Sequence, residues 1–129
     1  LSCPCRLGPL GSMFNFNYVI ETKNNYRTEF SAGRDSEEHC QHVWDEKPNL
    51  VLRLPSRSYT PETYANMIEQ MGAQLAMPLH HNNVRATGAD LNAYFKQVNE
   101  ILKQRGSTAR AFNPEPYKWY QICTSILPE

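Results

Sequence analysis

Four histidines are the first side chains in this sequence whose type and spacing suggest chemistry. His39 and His42 are three residues apart in a stretch with helical character, so we expect them to share one helical face. Neutral imidazole is a good ligand for zinc and similar ions. A site formed by His39, His42 and His80 would serve a metal-assisted hydrolase, which is one alternative function. Histidine pairs without a carboxylate or a second paired motif are common on surfaces, however, and we predict no metal site, no cofactor and no catalytic residue.

A second group of polar side chains lies in the connection between two predicted helices and just before the first of them. Asparagine amides form adaptable hydrogen bonds without the desolvation penalty of a charge. Tyrosine and arginine are enriched among the residues that dominate the binding energy of protein interfaces. We therefore predict that a protein partner is bound by the following residues: His80, His81, Asn82, Asn83, Arg85, Arg57 and Tyr59.

Basic and aromatic residues in the carboxyl-terminal half form a third group. Basic side chains neutralise phosphates and aromatic rings stack on unpaired bases, so this group indicates nucleic-acid binding as the alternative to a protein partner. The competing interpretation places Trp119 and Tyr120 in the core and lets the basic residues solvate the carboxyl end of a helix, where the helix dipole favours them. The group consists of Lys96, Lys103, Arg105, Arg110, Tyr117 and Trp119.

Composition and charge narrow the classes of function further. The chain has 13 basic and 13 acidic residues, so its net charge gives no bias toward nucleic acid or an anionic membrane. It contains no nucleophile-elbow, Walker or dinucleotide-binding motif. No apolar run has the length of a membrane helix, and only Cys40 and Cys123 remain once residues 1–12 are set aside. We expect a cytoplasmic protein in which these two thiols are buried.

Residues 1–12 are predicted to be vector-derived, and residues 13–129 are predicted to form one domain. Residues 8–12 have the sequence expected to remain after a fusion tag is cleaved, and Met13 is predicted to be the native start. The remaining chain has the size of a single domain and contains no internal repeat, low-complexity tract or dividing linker.

The predicted fold is organised around a pair of amphipathic helices between Thr60 and Gly106. Thr60 and Pro61 begin the first helix, a cap over 87–90 begins the second, and the connection 78–86 joins them. Apolar residues recur at helical spacing, and we predict that they form the core: Met67, Ile68, Met71, Leu75, Leu91, Phe95, Val98 and Leu102.

Four strands and a short helix complete the prediction. Alternating residues indicate a hairpin over 14–30, with Tyr18 and Ile20 on the face opposite an outward row of asparagines. A short helix is expected over 35–46, a buried strand over 50–54 and a closing strand over 117–127. The order β-β-α-β-α-α-β predicts a single small α+β domain, with about four strands in an antiparallel or mixed sheet and helices packed on one face.

These observations favour a non-enzymatic binding or regulatory module that acts through a macromolecular partner. A protein is the first expectation and nucleic acid the second, without a membrane. Small inhibitors encoded by phages and other mobile elements have the same general character. A homo-dimer formed through an open sheet edge is a further expectation.

Overall fold

The described part of the chain forms a mixed six-stranded sheet with two helices, which is the predicted α+β class. The computed structural model describes residues 2–4, 16–31, 45–53, 55, 59–79 and 90–123 of the 129. The strands are β1 (Ser2–Pro4), β2 (Phe16–Glu21), β3 (Arg27–Ser31), β4 (Leu50–Arg53), β5 (Leu75–Pro78) and β6 (Arg110–Ala111). The helices are α1 (Pro61–Met71) and α2 (Leu91–Gln104).

The strands lie in the sheet in the same order as in the chain. β1, β2 and β3 are antiparallel neighbours, whereas β3, β4, β5 and β6 run parallel to one another. Parallel neighbours need a crossover, which α1 supplies between β4 and β5 and α2 supplies between β5 and β6, in two consecutive βαβ units. β1 belongs to the segment 1–12, whose vector origin remains a prediction.

Both helices pack on the face of the sheet that carries Val51, Ala76 and Ala111. Each helix turns one apolar stripe toward this face, which is the arrangement expected of an amphipathic helix on a sheet. The predicted helical core is confirmed, since the following side chains are buried: Met67, Ile68, Met71, Leu91, Phe95, Val98 and Leu102.

The prediction that the two helices follow each other directly is wrong, because β5 lies between them. α1 ends at Met71, and Gly72 adopts a left-handed φ of 67° while its N–H donates to the Glu69 carbonyl. Glycine takes this conformation without the steric penalty of a Cβ atom, which makes it a common helix terminator. Leu75 therefore lies on β5, where it is paired with Leu50 of β4 on one side and with Arg110 of β6 on the other.

Two further details of the predicted elements are corrected. The N-cap of α2 is Asp90, whose side chain accepts hydrogen bonds from the N–H groups of Asn92 and Ala93, so the helix begins after the predicted cap over 87–90. On β2, Val19 packs against the core, whereas Tyr18 and Ile20 are 54% and 56% exposed. The predicted face of this strand is thus inverted.

The predicted closing strand is also wrong within the described residues. Residues 117–123 are irregular and exposed, and the last strand, β6, lies upstream of them. Pro114 and Pro116 follow β6 and have no N–H to continue a strand ladder. Cys123 is exposed rather than buried. The predicted helix over 35–46 and Cys40 fall almost entirely on residues 32–44, outside the described residues.

Candidate functional site

The residues predicted to bind a protein partner or a metal ion are mostly not among the described residues. Tyr59 is the exception: it is half-buried against the core, and its carbonyl oxygen accepts a hydrogen bond from the Tyr94 hydroxyl at 2.9 Å. Its backbone is therefore tied to α2. Outside the described residues lie Arg57, His80, His81, Asn82, Asn83, Arg85, His39 and His42.

Three of the basic residues predicted to bind nucleic acid meet in one groove between α2 and β6. Lys96 and Lys103 extend from the exposed side of α2, and Arg110 belongs to β6. The groove has a volume of about 470 Å³, which is within the range of ordinary ligand pockets. We term it the basic groove, and its lining includes Asn92, Lys96, Asn99, Lys103, Arg110 and Phe112.

The charges of the basic groove are not neutralised by ion pairs within the described residues. Neither Lys96 nor Lys103 forms one there, and the Arg110 guanidinium donates to the carbonyl oxygens of Ser107 and Ala109 at 3.0 and 2.6 Å. Glu100 is the acidic side chain that lines the same groove. The groove therefore presents a net positive surface to an approaching molecule.

Arg105 does not line the basic groove, although it was predicted to bind nucleic acid together with Lys96, Lys103 and Arg110. Its guanidinium donates to Glu69 at 2.8 Å and to the Asn66 side chain at 2.7 Å, and it lies 3.5 Å from Glu62. All three partners are on α1. Arg105 therefore links the two helices, and its charge is already matched by two carboxylates.

Asn99 closes the inner wall of the basic groove. Its side-chain amide donates to the carbonyl oxygen of Ala111 and accepts from the N–H of Ala111, both at 2.8 Å. The N–H of Arg110 donates to the carbonyl oxygen of Gln74, and that of Phe112 donates to Ala76 of β5. Because backbone groups alternate in direction along a strand, the N–H and carbonyl of Ala111 point away from β5. The Asn99 side chain thus satisfies both outward hydrogen-bonding groups of Ala111 at the edge of the sheet.

Two aromatic side chains project from the loop that follows β6. Tyr117 and Trp119 are fully exposed, at 105% and 101% of their reference areas. The interpretation that placed Trp119 and Tyr120 in the core is therefore wrong. We term residues 112–120 the aromatic loop; it begins at Phe112, which also lines the basic groove.

The aromatic loop is held by contacts among its own residues. The rings of Phe112 and Tyr120 meet edge to face with centroids 5.1 Å apart, and the Tyr120 hydroxyl accepts a hydrogen bond from the N–H of Glu115 at 2.9 Å. Lys118 pairs with Glu115. Tyr117 has a left-handed φ of 63°, a conformation that costs a non-glycine residue about 1–2 kcal/mol. These contacts brace the loop, while the Tyr117 and Trp119 side chains that it carries stay fully exposed.

A separate polar cluster is buried beneath α1, away from the basic groove. Arg53 and Glu29 form an ion pair at 3.5 Å with side chains only 2% and 0% exposed, and the Arg53 guanidinium contacts the Met67 sulfur at 3.0 Å. Burying both charges is costly, and their attraction offsets that cost only while both are present. The cluster is enclosed and belongs to the structural core.

Two tyrosine hydroxyls, one on each helix, form hydrogen bonds with backbone carbonyls at the two ends of the connection from β4 to α1. Tyr64 donates to the carbonyl oxygen of Arg53 at 3.3 Å, and Tyr94 donates to that of Tyr59. Burial raises the pKa of both tyrosines above the ordinary value of 10.0, because the charged phenolate would lose its hydration. Both hydroxyls are therefore protonated donors at neutral pH.

The described residues contain neither a cluster of metal ligands nor a membrane-spanning helix. In that part of the chain, no group of three or more His, Cys, Asp or Glu side chains is placed to hold a metal ion. No described helix is long and apolar enough to cross a membrane. The basic groove offers ammonium and guanidinium groups, side-chain amides, the Glu100 carboxylate and an aromatic ring, which can form ion pairs, hydrogen bonds and stacking contacts.

Comparisons with known proteins identify no family. No protein-family model matches the sequence, and a search of curated proteins finds no significant match. Only the residues of this chain therefore bear on its function.

Proposed function

We propose that this protein is a non-catalytic binding module that holds a segment of a protein partner in the basic groove, with the aromatic loop as its anchor. The proposal is supported by one observation above the others. Tyr117 and Trp119 are fully exposed, although the loop that carries them is braced by a ring contact, a hydrogen bond and an ion pair.

Exposed aromatic rings on a braced loop have the properties of binding hot spots. Tyrosine and tryptophan offer a large contact area at a low cost in conformational entropy, and both are enriched among hot-spot residues. The left-handed backbone of Tyr117 adds local strain, which in native proteins concentrates at functional positions. A partner that covers these rings would gain the free energy of removing their apolar area from water.

A protein partner is favoured over nucleic acid by the balance of charge. The whole chain has no net charge, whereas domains that bind nucleic acid usually carry a strong basic excess. Glu100 also lies in the groove with Lys96 and Lys103 and would repel a continuous row of phosphates. A protein segment can instead place a basic residue opposite Glu100.

Nucleic acid is the second candidate because three cations share the groove with the partly exposed ring of Phe112, from which the aromatic loop continues. Single strands bind to such surfaces by phosphate neutralisation and base stacking. Affinity for an oligonucleotide would then fall steeply with salt concentration, and an affinity that stays flat would exclude this candidate.

The test compares partner retention by three forms of the immobilised protein: wild type, Tyr117→Ala/Trp119→Ala, and the control Tyr18→Ala/Ile20→Ala. The control removes two half-exposed apolar side chains on β2, outside the groove. We expect at least one protein whose affinity, measured again with the purified partner by calorimetry, falls about 30-fold in the loop variant only. Retention that is equal in all three forms, or that is lost after nuclease treatment, would contradict the proposal.

A further inference from the structure

The outer edge of β6 is closed to pairing with another strand. Asn99 occupies both outward backbone groups of Ala111. Just upstream, the N–H of Ala109 donates to the Ser107 hydroxyl at 3.2 Å and its carbonyl oxygen accepts from Arg110 at 2.6 Å. A partner that added a strand here would have to displace all of these side chains. The partner segment is therefore held through side chains rather than through its backbone.

The charged side chains of α2 form a regular pattern along the basic groove. Lys96, Glu100 and Lys103 are four and three residues apart, so they lie along one side of the helix with the order plus, minus, plus. Lys96 and Lys103 are seven positions apart, which corresponds to about 10.5 Å along the helix axis. Two side chains seven apart on a second helix have the same separation, whereas residues on one side of an extended chain are about 6.6 or 13 Å apart.

We propose that the basic groove receives a helix of the partner protein whose charges have the complementary order minus, plus, minus. Its acidic residues face Lys96 and Lys103, and its basic residue faces Glu100. An apolar side of the same helix would rest on Phe112, which lines the groove and is partly exposed. This is the recognition mode in which an amphipathic helix lies in a groove. The proposal rests on the proposed function and names the chemistry of its partner.

The test uses synthetic alanine-rich helical peptides with three charge patterns. The first peptide carries Glu, Lys and Glu at the spacing of Lys96, Glu100 and Lys103, and it is made in two versions with this spacing read forward and reversed. The second peptide carries the inverse charges at the same positions. The third carries glutamine at all three positions. Binding is measured by fluorescence polarisation at low salt, because surface charge pairs are screened by salt. We expect the first peptide to bind wild-type protein about tenfold more tightly than the inverse one.

The decisive variant is the charge-swapped protein Lys96→Glu/Glu100→Lys/Lys103→Glu. We expect it to prefer the inverse peptide, while the control Lys23→Glu, in the exposed turn between β2 and β3, keeps the wild-type preference. Equal binding of all three peptides, or an unchanged preference in the swapped protein, would overturn the helix proposal. A thymidine oligonucleotide that binds more tightly than every peptide, and more tightly still after Glu100→Lys, would overturn it in favour of nucleic acid.

The same variants separate this proposal from the proposed function. If the natural partner is lost from the Tyr117→Ala/Trp119→Ala protein but binds the charge-swapped protein normally, the helix proposal fails and the binding module stands. If both variants bind the partner as wild type does, both proposals fail. Far-UV circular dichroism and thermal unfolding of each variant establish that the fold is retained.

Discussion

At the scale of single residues, three aromatic rings hold the two helices together. Tyr64 of α1 meets Tyr94 and Phe95 of α2 edge to face, with ring centroids 5.9 and 5.6 Å apart, and Tyr94 and Phe95 meet at 5.5 Å. Such edge-to-face contacts stabilise a fold by about 0.5–1.5 kcal/mol beyond the area that they bury. The three rings therefore contribute both to the core and to the angle at which the helices meet.

Phe95→Ala tests the contribution of this ring cluster. Phe95 is buried, so its replacement leaves a cavity and removes two ring contacts, and we expect the free energy of unfolding to fall by about 3–5 kcal/mol. Urea denaturation measures the change. Gln97→Ala, at an exposed position of α2, should change it by about 0.5 kcal/mol or less. An unchanged urea midpoint for Phe95→Ala would show that this residue is not part of the core.

The buried hydroxyl of Tyr64 predicts how stability depends on alkaline pH. Its pKa is raised by burial, so above about pH 10 the unfolded chain loses this proton while the folded chain keeps it. Ionisation then favours the unfolded state, and the free energy of unfolding falls as pH rises, by up to about 1.4 kcal/mol per pH unit from this one group. Below about pH 9 this contribution is fully present and constant.

Urea denaturation between about pH 8 and 11 measures this slope, because the window brackets the ordinary tyrosine pKa. We expect Tyr64→Phe to lower stability at neutral pH, since the hydrogen bond to Arg53 is lost, and to show a shallower decline at high pH. Gln97→Ala, at an exposed position of α2 that does not titrate, should keep the wild-type slope. A slope that is identical in all three proteins would contradict the assignment to Tyr64.

At the scale of elements, β6 depends on a side chain of α2. The strand has only two residues, and one of them, Ala111, has its outward N–H and carbonyl groups occupied by Asn99. Exposed strand edges promote association between chains, and native proteins protect them in several ways. Asn99 provides such protection, which argues against the expected homo-dimer at this edge.

Asn99→Leu removes both hydrogen bonds while keeping the side-chain size similar. We expect the free energy of unfolding to fall by about 1–3 kcal/mol, because the Ala111 groups lose their partners. We also expect its average mass in sedimentation velocity to rise more steeply with protein concentration than that of wild type, since the strand edge is opened. Asn92→Leu is the matched control, because Asn92 accepts a hydrogen bond from the Asn113 side chain and does not contact the strand backbone. Identical behaviour of the two variants would contradict this role.

At the scale of the whole molecule, the helices were predictable because their signals are local. Thr60 and Pro61 mark the start of α1, and the buried positions of α2 recur at helical spacing. β5 was hidden because Leu75 falls four residues after Met71 and so continues the helical pattern, and only Gly72 marks the break. The two residues of β6 are too few to show any period. Both strands exist through pairing with distant residues.

The candidate site was predictable to a similar extent. Lys96 and Lys103 are seven residues apart in a helix, so their common side follows from the sequence. Their proximity to Arg110 and Phe112 depends on how β6 pairs with β5, and the bond from Asn99 to Ala111 depends on how α2 lies over the sheet. The exposure of Trp119 likewise depends on the course of the aromatic loop. Sequence patterns do not encode such relations between distant segments.

The sequential order of the strands bears on how this chain acquires its structure. Every strand from β2 to β6 pairs with the strand synthesised just before it, and no later segment has to enter between two strands that are already joined. The sheet can therefore grow at one side while the chain is still being made, with each crossover helix covering the strand pair that it connects. Each strand that docks pairs with the exposed edge of the strand before it, and unpaired edges are among the features that make incomplete folds prone to aggregation. When α2 is in place, Asn99 takes the position that a further strand would need, and the growth of the sheet stops.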